Sequence, residues 1–170
     1  FDETESITVA ESFAAACSLA NELTANGVQI GEFVGVRADR NIETVLTFFA
    51  LQFVGAVAVM HDPREQIDEQ TKIVDGMLIR DGKQARLCMD KHFEGGVQCG
   101  GDVQAPSVVV FTSGSTGVRK GVMLSQYNFV NNSLDTRQIG GYCDDDVCML
   151  IVPMCHVFGI ALAVTAVVNK

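Results

Sequence analysis

Apolar runs of strand length recur between segments with helical spacing. This alternation constrains the fold more than any other feature of the 170 residues. Thr8 precedes Ala10–Asn26, where Phe13, Ala16, Cys17, Ala20 and Leu23 recur about every three or four residues, the mark of an amphipathic helix. Gly27 supplies a stop signal. Phe33–Val36 reads as a short strand, Asn41 as the N-cap of a helix through Phe53 that ends at Gly55, and Ala56–Met60 as a buried strand. From His61 to Gly101 the pattern weakens to a polar helix at Gln66–Asp75, short strands at Met77–Arg80 and Ala85–Met89, and glycine-rich turns at Gly95–Gly101. Ser107–Phe111 is a buried strand and Thr112–Gly121 a loop. Ser125 caps a helix to about Arg137, Asp144–Asp146 form a turn, and Val147–Val152 reads as a strand. Strands alternating with helices predict an α/β fold, a mostly parallel sheet flanked by helices.

Charge narrows the partners. Twelve Lys and Arg oppose 21 Asp and Glu, a formal net charge of -9, and such a surface repels nucleic-acid backbones. One Lys with a ring of backbone N–H groups can still hold a triphosphate locally. The six cysteines form no C-x-x-C pair and are too sparse for a disulfide framework, which points to reduced thiols and a cytoplasmic protein. Cys143, Cys148, Cys155 and His156 match no common zinc spacing, so no metal site is assigned. Val147–Asn169 has no charged residue, but Pro153, His156 and Gly159 interrupt it. A strand, a loop and a second buried element are expected there in place of a membrane span. The chain starts at Phe1, not Met, and reads as a segment of something longer.

The informative stretch is the strand Ser107–Phe111 followed by Thr112-Ser-Gly-Ser-Thr-Gly-Val-Arg-Lys120-Gly121. Gly114 and Gly117 let backbone approach an anion closely. Successive N–H groups can then form an anion-binding nest, to which Thr112, Ser113, Ser115 and Thr116 add hydroxyl donors and Lys120 a mobile charge. It is not G-x-x-x-x-G-K-[ST], because counting from Gly114 puts Arg119 where the second glycine belongs. On the residues alone, an ordinary polar turn between strand and helix is the competing reading.

The run FTSGSTGVRKGVMLSQYN resembles the signature of the adenylate-forming (AMP-binding) superfamily of acyl- and aryl-CoA ligases, luciferases and peptide adenylation domains. That signature reads Y/F-T-S-G-[ST]-T-G-x-P-K-G-V, then L-[ST]-x-x-N. The match runs from Phe111 to Gly117 and resumes at Lys120, Gly121, Val122, Leu124, Ser125 and Asn128, with Arg119 where the family has Pro. Thr8-Val-Ala-Glu11 is similar to the family's T-[YF]-x-E-L region. Phe53–Val59 with Asp62-Pro63 is similar to L-K-A-G-A-x-x-V-P-x-x-P, and Val152–Gly159 to L-P-x-x-H-x-x-G.

The resemblance implies the N-terminal part of the large domain of an acyl- or aryl-CoA ligase-like enzyme, spanning residues 1–170. It implies ATP-dependent activation of a carboxylic acid to an acyl-adenylate, with Mg²⁺ assisting, then transfer to the thiol of CoA or of a carrier protein. Thr112, Ser113, Gly114, Ser115, Thr116, Gly117 and Lys120 would bind the phosphates. His156, Phe158 and Gly159 would line the acid pocket, and Lys120 and His156 would act in catalysis. Amino-acid-activating members carry an Asp in that pocket to pair with the substrate ammonium. No acidic residue occurs between Val147 and Lys170, so a fatty or aryl acid without an α-amine is expected. The family's Y-G-x-T-E segment, ribose-binding Asp and C-terminal catalytic Lys have no counterpart here, so the isolated chain is expected to be inactive. Its apolar stretch Ile160–Val168 is expected to be exposed and to drive self-association. A non-catalytic nucleotide- or anion-binding module that keeps the loop, and a structural domain whose loop is only a turn, are the alternatives.

Overall fold

The computed structural model describes residues 6–64, 76–81, 84–89, 102–112, 119–143 and 145–168. The elements are α1 (Val9–Ala25), β1 (Phe33–Arg37), α2 (Ile42–Val54), β2 (Val57–His61), β3 (Gly76–Asp81), β4 (Gln84–Met89), β5 (Pro106–Phe111), β6 (Gly121–Ser125), α3 (Gln126–Gly140) and α4 (Val157–Val168). One six-stranded sheet runs β4-β3-β1-β2-β5-β6. β3, β1, β2 and β5 are mutually parallel, and antiparallel β4 and β6 form the two edges. This is the α/β architecture the alternation predicts. The predicted helix at Gln66–Asp75 and the turns at Gly95–Gly101 lie outside the described residues.

The central strands carry buried apolar residues on both faces, as strands covered on both sides do. Val34, Val36, Ala58, Met60, Val108 and Val110 belong to one buried cluster. From α1 it takes Leu19, Ala20 and Leu23, and from α2 Phe48, Ala50 and Leu51. Phe129 of α3 and Ile160, Ala163 and Val164 of α4 complete it. Val57, Val59 and Val109, which point the other way, are buried as well.

Local chemistry sets the helix ends. Asn41 Oδ1 accepts from the Thr44 N–H at 2.8 Å and starts α2. Gly55, at φ +80°, ends it in the left-handed conformation that an L side chain rarely adopts. In α1, Phe13 is exposed and lies edge-on to Phe53 with ring centroids 5.4 Å apart, while Leu19 takes the buried place.

Two expectations are corrected. Val147–Val152 is not a strand: the segment has no regular structure and Val147 is 95% exposed. A run of apolar residues becomes a strand only when it pairs with a neighbour, and this segment pairs with no described strand of the sheet. Nor is Ile160–Val168 exposed as a whole, because Ile160, Ala163, Val164 and Thr165 face the core. The apolar exposure lies earlier, at Val147, Met149, Ile151, Val157 and Phe158.

Candidate functional site

Parallel strands deliver their carboxyl ends to one edge of the sheet, the usual location of ligand sites in open α/β folds. Arg37, His61 and Phe111 are the last residues of β1, β2 and β5, and Thr112, which directly follows Phe111, faces Lys120 there.

The glycine-rich loop leaves from Phe111. Its first residue, Thr112, donates its N–H to the Lys120 carbonyl at 3.0 Å, one step beyond the Phe111–Gly121 pair. β5 and β6 are therefore the two arms of a β-hairpin, and Lys120 stands at its neck, exposed. The sequence reading has no β6; Gly121–Ser125 lacks the length and alternation that mark a strand without its partner. Ser113, Gly114, Ser115, Thr116 and Gly117 lie outside the described residues.

The hairpin's stem is braced from the core. Pairing shifts by one residue between Pro106 and Val108, so Ser107 is the extra residue of a β-bulge. Its carbonyl accepts from Gln52 Nε2 of α2 at 3.1 Å, and its hydroxyl donates to the Leu124 carbonyl at 3.3 Å. Ser125 then caps α3: its Oγ accepts from the Asn128 N–H, while Asn128 Oδ1 accepts from the Ser125 N–H at 2.9 Å.

The turn after β2 holds the second group. Asp62 Oδ1 accepts from the Arg64 backbone N–H and from Arg64 Nε, both at 2.9 Å, and Oδ2 accepts from the Arg64 guanidinium at 2.6 Å. Arg37 donates to the Pro63 carbonyl at 2.9 Å, and the Ala38 N–H to the His61 carbonyl at 3.0 Å. The Arg64 hydrogen bonds outweigh burial and hold the Asp62 carboxyl at a pKa of about 2, below its ordinary 3.8, with a smaller contribution from the charge of His156. That depressed value makes the stabilisation complete above pH 3.8, and it is lost as pH falls toward 2. With Arg64 74% exposed, solvent screens the ion pair to about 0.5 kcal/mol.

His156 reaches this edge from 94 residues downstream of Asp62. Arg40 Nη1 donates to the Ile151 carbonyl at 3.2 Å, Met154 and Cys155 are buried, and the His156 N–H donates to the Pro153 carbonyl at 3.1 Å. His156 itself is exposed just before α4, within electrostatic range of Asp62, and is not a core histidine. Phe158 is exposed next to it. Gly159 is buried, and a Cβ there would stand 2.3 Å from the Pro153 carbonyl oxygen. That contact explains the glycine as a close-packing requirement at the start of α4.

His61, which no motif in the sequence singles out, is buried at 3% exposure against Phe111. Arg37 and Arg40 escaped the sequence reading because their partners are backbone carbonyls, which leave no residue pattern. Among the described residues no three His, Cys, Asp or Glu converge on a metal-sized site, and no helix is long and apolar enough to cross a membrane.

The model of the AMP-binding enzyme family matches residues 1–80 and 83–169. A 2-succinylbenzoate–CoA ligase of Bacillus cereus is 28% identical over 94% of this chain, and the chain spans 36% of that relative's length. Among solved structures, ATP-bound MatB from Rhodopseudomonas palustris superposes at a TM-score of 0.76 with 22% identity, over 95% of this chain and 38% of that one. The o-succinylbenzoate CoA synthetase (MenE) from Bacillus subtilis, in complex with the acyl-adenylate intermediate OSB-AMP, gives 0.78 and 22% over 98% of this chain and 49% of that one.

Proposed function

Since this chain belongs to the AMP-binding enzyme family, we propose that it forms the N-terminal part of an ATP-dependent acid–thiol ligase, which converts a carboxylic acid to its acyl-adenylate and passes the acyl group to CoA. The observation that carries this reading is the hairpin neck, where Thr112 and Lys120 close on each other at the carboxyl end of a buried strand. That neck fixes the two ends of the segment whose sequence carries the hydroxyls and glycines of the signature. The Bacillus cereus relative, named for an aromatic acid and for CoA, agrees with it.

The carboxylate is itself the nucleophile, so the chain need only overcome charge repulsion and hold the reactants in line. Thr112, Ser113, Ser115 and Thr116 hydroxyls and the loop amides hold the β- and γ-phosphates, and the Lys120 ammonium stabilises the departing pyrophosphate. This donor set fits a phosphate chain. Mg²⁺, when bound with the nucleotide, supplies further neutralisation of the phosphates. In this reading the exposed His156 and Phe158 line the acid pocket, and Gly159 lets the start of α4 pack against the Pro153 carbonyl. The pocket segment from Val147 onward carries no carboxylate that could pair with an ammonium, which favours a fatty or aryl acid without an α-amine.

In the full-length enzyme, Lys120→Ala is expected to reduce acid-dependent ATP–pyrophosphate exchange by about 10²–10³-fold. Unchanged exchange removes Lys120 and the loop from the mechanism.

A further inference from the structure

We propose that His61 is a positioning residue for the phosphate-binding hairpin, its buried ring fixing the strand end from which the loop departs. The inference rests on the loop reading given above. His61 is the last residue of β2, whose other members, Val57, Ala58, Val59 and Met60, are all apolar and fully buried. An imidazole in the fifth place of such a strand costs desolvation that Leu or Val would not. It stands against Phe111, the residue from which the loop departs.

A chain of contacts, two of them made by His61 itself, links β1 to the hairpin neck. The His61 carbonyl accepts the Ala38 N–H at 3.0 Å, which ties it to the end of β1. The imidazole lies against the Phe111 ring with centroids 5.7 Å apart and planes inclined at 30°, a tilted stack between adjacent parallel strands. Phe111 in turn pairs with Gly121, and the next residue, Thr112, donates to the Lys120 carbonyl. Two flat rings with few rotamers locate the stem more narrowly than an aliphatic pair of equal volume. A glycine-rich loop needs that help, since whatever order its stem lacks must be acquired when phosphate binds.

Amide hydrogen exchange at Thr112 in this chain reads the neck directly and needs no nucleotide. His61→Leu keeps the apolar volume and removes the ring, His61→Gln is a second ringless variant, and His61→Phe keeps a ring. The ringless variants are expected to speed Thr112 exchange about tenfold while the Val59 amide, in mid-strand, stays within about twofold. His61→Phe is expected to bring Thr112 back to within about threefold of the parent chain. In the full-length enzyme, His61→Leu is expected to raise KM for ATP about tenfold, with KM for the acid unchanged. Unaltered Thr112 exchange in the ringless variants overturns the inference. So does equal acceleration at Thr112 and Val59, which marks a general loss of packing. A full-length enzyme without acid-dependent exchange overturns the ligase reading instead and leaves the Thr112 result standing.

Discussion

Helices α1 and α3 begin with the same device and finish in different surroundings. Thr8 and Glu11 form a reciprocal capping box at the start of α1, and Ser125 and Asn128 form one at the start of α3. From there α1 buries Ala16, Leu19, Ala20 and Leu23, whereas α3 buries only Phe129 and Ser133 and exposes Tyr127, Val130, Leu134 and Ile139. A cap decides where a helix starts. The supply of a packed face decides how much the helix contributes to stability.

The same substitution on each helix gives the largest contrast. Leu23→Ala in α1 is expected to cost about 3 kcal/mol in urea unfolding, because a fully packed side chain leaves a cavity. Leu134→Ala in α3 is expected to cost less than about 0.5 kcal/mol, since its side chain is half in solvent. Equal losses would break the comparison. Next in size is Gly159→Ala, which must push α4, the neighbour of α3, off the Pro153 carbonyl. About 2 kcal/mol is expected, read as a lowered Tm. Thr8→Ala and Ser125→Ala are each expected to cost about 1 kcal/mol. Similar values would sharpen the claim that capping is local and indifferent to what the rest of the helix packs on.

The smallest effect separates the boxes by pH. Hydrogen bonds from the Thr8 backbone and hydroxyl hold the Glu11 carboxyl below its ordinary 4.5. Its contribution is therefore complete above pH 4.5 and is lost as pH falls through the lowered value. Asn128 does not titrate. Amide exchange at Thr8 should accelerate relative to Ser125 between pH 6 and about pH 3; parallel behaviour of the two amides would show that Glu11 adds nothing to its cap.

Much of the family signature has a plain structural meaning here. T-x-x-E is the cap of α1, and the S-x-x-N that follows the loop is the cap of α3. The glycine of the A-G-A region is the left-handed end of α2. The last glycine of the pocket motif sits where a Cβ would meet the Pro153 carbonyl oxygen. These features are legible in sequence because each depends on neighbours within a few residues. The same holds for Asn41, whose cap forms as expected. Where the reading fails, at Val147–Val152, at β6 and at Phe13, the local pattern is sound and the outcome depends on which neighbour is present.

Residue order alone determined the positions of the helix caps, the apolar central strands and the composition of the loop. Each is a matter of backbone conformation or side-chain polarity that a short segment settles within itself. Only the tertiary structure decided that Gly121–Ser125 pairs with β5, that His61 lies against Phe111, and that Arg40 reaches the Ile151 carbonyl. The physical reason is that these arrangements are contacts between surfaces brought together by strand order, and no local preference encodes which surfaces those will be.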